Sequence, residues 1–279
     1  MMVIGKADQA QSFAKECKGF GLDDIGVAAG LALVPILNPE SVAFVGLADH
    51  AWDIDTDLLI QGFARAARGL GAEVRLKSPV TAIARIAGGW RVTAGEDFTA
   101  RLIINAAGAW ADQVAVLAGV RPLGLQPMRR SMARIPAPGG QDVAGWPMMF
   151  GVGETWYAKP DAGALIVSPA DEQPMAAHDA FADDMVLAEG LARYEAMVTE
   201  PVTRLLASWA GLRTFAPDRV LVIGPDPVEP SFIWLAGQGG YGFQTCAAAS
   251  QLVADLVGGR GLQLEAGLVA ALSPGRFRL

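Results

Sequence analysis

Apolar side chains recur at helical spacing along residues 56–70, where Leu58, Leu59, Phe63, Ala66, Ala67 and Leu70 fall on one face. Asp55 or Thr56 can cap the start of this helix, and Gly71 can end it. The period then shortens to two. Residues 72–77 (AEVRLK) predict a short strand and residues 80–86 (VTAIARI) another. Gly88-Gly89 makes a turn, residues 90–94 (WRVTA) return, and residues 98–105 (FTARLIIN) form one further pass. Residues 110–118 predict a short helix closed by Gly119.

From Arg121 to about Leu206 short apolar runs alternate with Pro/Gly turns: SMARIP, PMMFGV, TWYAKP and ALIVSP. An amphipathic helix follows from Asp183. This stretch predicts an antiparallel sheet with a helix against it. The pattern then returns to α/β character, with strands at 221–223 and 232–236 and a helix at 244–257. The expected class is α/β, more fully a mixed α+β arrangement, without internal repeats.

Composition narrows the function classes. The chain has 279 residues, 52% hydrophobic and 18% charged, enough for one large domain or two interleaved ones. A net charge of −7 gives no general attraction to nucleic acid or to an acidic membrane. The most apolar run, residues 25–37, is broken by Gly26, Gly30 and Pro35 and is too short to span a bilayer. The N-terminus carries no signal-peptide pattern, and Cys17 and Cys246 lie far apart, so a cytoplasmic protein without disulfides is expected. His50 and His178 are the two histidines; a His/Cys metal site is not expected, and neither takes a role.

One motif invites a direct reading. Residues 237–242 (GQGGYG) match G-x-G-x-x-G, follow a predicted strand and open a helix, as a dinucleotide fingerprint does. Glu265 even lies at a spacing that suits a ribose contact. But that fingerprint normally opens a βαβ unit, and here the chain runs GGRGLQLEAGL with little room for further parallel strands. The turn is therefore read as a place where backbone approaches a cofactor closely, not as the pyrophosphate loop.

Three segments together resemble the D-amino-acid oxidase/glycine oxidase superfamily of flavoproteins: IINAAGAWAD (103–112), WAGLRTFAPD (209–218) and LAGQGGYGFQT (235–245). DIDTDLLIQGF, PMRRSM, TWYAKPDAG and VSPADE extend the match, nearest to bacterial D-arginine dehydrogenases. The resemblance implies FAD and an incomplete Rossmann-like FAD-binding domain, residues 73–119 and 206–279. Interleaved with it is an antiparallel-sheet substrate domain, residues 1–72 and 120–205. Members of the superfamily open with a strand, a G-x-G-x-x-G turn and a helix, and Met1 enters after all of that. A truncated gene, a misassigned start and a deliberate fragment all fit this expectation.

The resemblance also implies site residues. Arg213 and Arg130 match arginines that hold a substrate carboxylate, a task suited to the planar guanidinium fork. Tyr157 matches a tyrosine whose hydroxyl donates to the same carboxylate, and Tyr241 borders the substrate. A one-residue shift of strand register would turn Arg129 inward instead of Arg130, and Trp156 competes with Tyr157 as the lining residue. Without the resemblance, lone arginines read as surface or ion-pair residues and a buried aromatic as core. Val80, Ala107, Gly108 and Trp110 are expected at the cofactor. So are Gly239, Gly240, Tyr241, Gly242, Phe243 and Gln244, whose main-chain N–H groups suit negative charge on a reduced flavin. No side chain is assigned as a general base.

The expected activity is oxidative deamination of a D-amino acid, by hydride transfer from Cα to flavin N5, with an unknown electron acceptor other than oxygen. Two alternatives stay open: a truncated chain without bound FAD, and flavin oxidation of a 2-hydroxy acid, of glycine or of a secondary amine such as sarcosine.

Overall fold

The computed structural model describes residues 1–277. The chain opens with β1 (Met2–Gly5), α1 (Ala10–Phe20), β2 (Asp23–Asp24), α2 (Gly26–Leu33), β3 (Phe44–Leu47) and α3 (Thr56–Gly69). Next come β4 (Ala82–Ile86), β5 (Gly89–Ala94), β6 (Glu96–Ala100), β7 (Ile103–Asn105), α4 (Ala111–Leu117) and β8 (Gln126–Pro136). They are followed by β9 (Met149–Gly151), β10 (Tyr157–Asp161), β11 (Ala164–Ser168), β12 (Gln173–Pro174) and α5 (Asp184–Glu195). The chain then runs through β13 (Ala207–Phe215), β14 (Val222–Pro225), β15 (Phe232–Ala236), α6 (Gly242–Gly258) and α7 (Ala266–Leu272). The fold is the mixed α/β class that the hydrophobic pattern predicts.

The chain divides into two compact units. The first contains Met1–Asp53, Arg129–Gln173 and Asp179–Gly211; the second contains Ile54–Met128, Pro174–His178 and the chain from Leu212.

The first unit is built on a sheet ordered β12-β8-β11-β10-β9-β1-β3-β2, with β13 pairing β8. Its pairs are antiparallel along β8, β11, β10 and β9, while β1 lies parallel to β9. Alternation along β8, β10 and β11 sends Ile135, Ala158, Leu165 and Val167 into one core with Met2, Ile4, Trp156 and Tyr194. Helix α5 starts where Asp183 accepts hydrogen bonds from the backbone of Met185 and Val186. Gly190 lets this helix meet Pro169, since a Cβ there would collide with the proline.

The second unit holds two small sheets, β4-β5-β6 and β14-β15-β7. The eight-residue pass expected at 98–105 is in fact two strands. β6 pairs antiparallel with β5, and after Arg101-Leu102 the chain turns into β7, which pairs parallel with β15. Ser231 ties the two sheets. Its Oγ accepts from Trp90 Nε1 and Arg85 Nη1, both at 2.9 Å, and its carbonyl accepts from Ile103 N at 2.9 Å.

The expected strand AEVRLK does not form. Residues 72–80 run as exposed coil, and Lys77 takes a φ of +56°, which no continuous strand tolerates. Arg75 instead pairs with Glu73 and Glu96, each at 2.7 Å. The strand failed because a short run with alternating apolar side chains needs a neighbour to pair with, and no strand of the described residues lies beside it. Helix α3 forms as predicted, with Asp55 accepting from Leu58 N, yet it buries none of its residues; Leu58 is 64% and Phe63 51% exposed. No described helix is long and apolar enough to cross a membrane.

Candidate active site

Strand β8 places two neighbouring arginines on opposite faces, as its pleat requires. Arg129 enters a polar network with Asp171 at 3.2 Å, Gln173 at 2.7 Å and Asp183 at 3.9 Å. Asp171 also accepts from Ser131 N and Ser131 Oγ, at 2.6 and 2.9 Å. Arg129 is thus bound up in structural pairing.

Arg130 faces the other way and is as deeply buried, at 5% exposure. Its guanidinium carbon lies 5.9 Å from the centre of the Tyr157 ring, and its Nη2 meets Glu172 Oε1 at 3.3 Å. Its Nε is buried without a hydrogen-bond acceptor. The Tyr157 hydroxyl donates to the thioether of Met132 at 3.3 Å, a weak acceptor. A buried cationic donor with an unmet valence therefore sits beside a phenol held on a poor partner. Both would bond better to an incoming carboxylate.

The same geometry separates the two aromatic candidates. Trp156 is 2% exposed and packs edge-on against Tyr194, with ring centres 5.5 Å apart. Tyr157 instead tilts against Phe150 on the Arg130 side. Burial pushes the Tyr194 hydroxyl above the ordinary tyrosine range, with Glu195 and Glu200 adding to it.

In the second unit, β7 and β15 run parallel, with Ile103 opposite Phe232 and Asn105 opposite Trp234. Their C-terminal ends therefore lie side by side. One end leads into Ala107, Gly108 and Trp110; the other leads into the 237–242 turn and α6. The topology thus gathers Ala107, Gly108, Gly239, Gly240, Tyr241, Gly242, Phe243 and Gln244 at one end of this sheet. Val80 is not among them and stands on the exposed coil before β4.

The glycine turn is shaped by β13. Gly239 N donates to Thr214 O at 2.8 Å, Gly239 has a φ of +52°, and a Cβ there would run into the Phe215 ring. A Cβ on Gly240 would lie 3.0 Å from Arg213 Nη1, so this glycine leaves room for the Arg213 guanidinium. Arg213 itself is half-buried on β13. Tyr241 and Phe243 are 51% and 45% exposed at the start of α6, where the first-turn N–H groups and the positive helix end gather. No strand follows α6 among the described residues, so the G-x-G-x-x-G match does not open a βαβ unit.

Two polar residues of the 103–112 segment serve structure. Asn105 Nδ2 donates to Ala111 O at 2.8 Å, fixing the turn after β7. Asp112 accepts from the backbone of Leu123, Gly124 and Leu125 at 3.0, 2.9 and 2.8 Å. Sequence reasoning missed Met132 and Glu172. Met132 stands two residues from Arg130 and so shares its face; Glu172 lies in VSPADE without having been given a task.

The residues present suit part of a flavin site. A glycine turn that a side chain would fill, a seventeen-residue helix beginning at it and exposed aromatics beside it fit a planar, negatively polarised ring system. No group of three or more potential metal ligands occurs among the described residues.

Fold and site together define a mixed α/β protein of two compact units, one carrying a buried arginine beside a tyrosine ring and the other a glycine turn at the start of a helix. The family model for FAD dependent oxidoreductases (DAO) matches residues 5–256, and the chain belongs to that family, whose cofactor is FAD. It is similar to FAD-dependent oxidoreductase domain-containing protein 1 of Bos taurus, 24% identical over 264 residues, covering 80% of this chain and 53% of that protein. In structure it is similar to glycine oxidase from Geobacillus kaustophilus, with a TM-score of 0.82 at 21% identity, covering 99% of this chain and 74% of that one. It is also similar to iminodiacetate oxidase from Chelativorans sp. BNC1, with a TM-score of 0.82 at 20% identity, covering 98% and 74%. The chain spans about half or less of the length of the relatives it matches in sequence.

Proposed function

We propose that this chain acts in the FAD-dependent oxidative deamination of a free D-amino acid. The observation that carries this reading is the Arg130–Tyr157 pair, a buried guanidinium with an unbonded Nε beside a hydroxyl held by a thioether. Arg130 and Tyr157 bind the substrate carboxylate, and Arg213 is assigned to the same group. Fixing the carboxylate at several points orients Cα, which is the main contribution such residues make to rate. Tyr241 borders the substrate. Gly239 to Gln244, with Ala107, Gly108 and Trp110, hold the cofactor, and Val80 is assigned to its adenine end. FAD, when bound, accepts the hydride leaving Cα. The amine loses its proton to water, so the product is an imino acid that hydrolyses to a 2-oxo acid and ammonium. The two electrons then pass to an acceptor other than oxygen.

The purified chain should show visible flavin bands, alone or after addition of FAD, and a D-amino acid under anaerobic conditions should bleach them. Arg130→Ala should abolish bleaching while the bands remain. Bleaching at an unchanged rate in that variant would remove Arg130 from the substrate site.

A second reading, that the chain does not retain FAD by itself, is favoured by α3. Its apolar face is exposed and it buries no residue, as expected of a surface meant to be covered. A protein that stays colourless with excess FAD and binds a hydrophobic dye through this helix would establish it.

A further inference from the structure

The first unit contains a cavity of about 200 Å3 that the reading above does not use. One wall is the end of β8 and the turn after it, residues 135–139; the other is residues 200–203, and Tyr194 of α5 closes the floor. Alternation along β8 puts Ile135 on the face opposite Arg130, so the cavity is separate from the carboxylate site.

The second wall is pinned before, within and after the cavity. Thr199 N donates to Ile36 O at 2.8 Å, Val202 N to Glu195 Oε1 at 2.7 Å and Leu206 N to Arg134 O at 2.7 Å. Pro136, Pro138 and Pro201 stiffen both walls. Gly139 has a φ of +59°, and a Cβ there would lie 3.3 Å from Glu200 Cδ, so the carboxyl group is packed closely on the turn. The space is therefore preformed.

Its polar groups are unmatched. Tyr194 is fully buried and its hydroxyl has no hydrogen-bond partner. Glu200 enters no ion pair or hydrogen bond among the described residues. It is also the sole charge among the residues lining the cavity. The flanking cations are committed elsewhere: Arg134 to Asp161 at 2.7 Å, and Arg193 to the carbonyls of Thr155 and Pro169. An anion is repelled here, and a purely apolar molecule leaves both polar groups unmet. A primary ammonium on a short aliphatic stem meets every demand. Its N–H groups donate to the Glu200 carboxylate and the Tyr194 oxygen, and its stem lies against Ile135, Val202 and the prolines.

We propose that this cavity binds a primary alkylammonium group, carried by a free amine or by a lysine side chain of a partner, with Glu200 as its counter-ion and Tyr194 as its second contact. The site is independent of the flavin and of the carboxylate-binding role given to Arg130.

The experiment is a ligand-observed NMR titration of the full chain with n-butylammonium, butan-1-ol, butyrate and N-acetyl-lysine amide. It is run on the wild type, Glu200→Gln, Glu200→Asp and Tyr194→Phe, with melting curves on the same samples. The wild type should bind n-butylammonium saturably and at least ~10-fold more tightly than butan-1-ol or butyrate, the scale of one charge-assisted pair. Glu200→Gln should erase that preference, Glu200→Asp should keep most of it, and Tyr194→Phe should weaken the amine by about 3-fold. Saturation by either amine supports the proposal, and their relative affinities separate a partner's lysine from a free amine. A cavity that holds only water would give no saturable binding of either amine, which overturns the proposal. So does n-butylammonium binding that is unchanged in a folded Glu200→Gln. Should Glu200→Gln fail to fold, the wild type alone decides: butan-1-ol binding as tightly as n-butylammonium overturns the charge-based site.

Discussion

Replacing each of the two adjacent arginines of β8 should give opposite outcomes. Arg129→Ala removes the cation that faces Asp171, Gln173 and Asp183. Asp171 has a side chain only 9% exposed, so its carboxylate keeps the Ser131 hydrogen bonds but loses its counter-charge inside the protein. Breaking one side of such a buried pair costs about 3 kcal/mol or more. Arg130→Ala instead takes one cation from Glu172, a side chain 35% exposed to water, and it deletes a buried Nε that has no acceptor. The lost pairing and the removed desolvation offset each other, leaving a net change within about 1 kcal/mol. Urea unfolding followed by tryptophan fluorescence measures both, and a carboxylate titration on the same samples measures binding. Arg129→Ala should unfold at clearly lower urea, while Arg130→Ala should keep its midpoint and lose carboxylate affinity. Equal destabilisation by the two variants, or loss of affinity confined to Arg129→Ala, would refute the division of labour argued from the strand.

Two further outcomes are expected. Asp112→Ala strips the acceptor from three backbone N–H groups at Leu123, Gly124 and Leu125, and should lower stability by about 2 kcal/mol in urea melts; a change under ~0.5 kcal/mol would mean that water replaces the carboxylate freely. Arg276 donates to Asp218 at 2.7 and 3.1 Å, and this hydrogen bond holds the Asp218 carboxyl below its ordinary range, with Val220 N also contributing. A depressed carboxylate stabilises the fold above its unfolded pKa and loses that contribution as pH falls through the folded value. The stability gap between wild type and Asp218→Asn should therefore be present near neutrality and close as pH falls through and below about 4. Because Asp218 is 40% exposed, the gap should stay under about 1 kcal/mol, and a gap that widens in acid would reverse the sign of the argument.

Local signals were legible where the interaction that makes them is also local. The caps of α3 and α5 are contacts within three residues, at Asp55 and Asp183, and both helices stand where periodicity and cap coincide. The opening strand was not read at all, because β1 is completed by β9, about 147 residues further on. AEVRLK shows the converse: the right alternation without a neighbour does not make a strand. At the candidate site, periodicity could say that Arg129 and Arg130 face opposite ways but not which way. That choice is made by β8 pairing with β11, where Ala133 meets Val167. Trp156 and Tyr157 are separated in a similar way, since Tyr157 opens β10 opposite Phe150 while Trp156 precedes the strand and packs on Tyr194. Glu172 was invisible in the sequence because Arg130, which it meets, lies 42 residues earlier on β8, and an exposed glutamate in a connecting segment carries no mark of its own.

Ser231 has a consequence for how the second unit comes into being. It joins Arg85 and Trp90, 146 and 141 residues earlier in the chain, and its carbonyl receives Ile103 N. The hairpin β4-β5 needs only nearby residues and can close within microseconds. Its tie through Ser231 must await a segment made 141 residues after Trp90. Contacts at such separation impose a loop-closure penalty before any of their reward arrives, and they slow folding. On the ribosome, β7 therefore waits with its hydrogen-bonding edge open until β15 emerges, and that interval is when the nascent chain is most exposed to wrong partners.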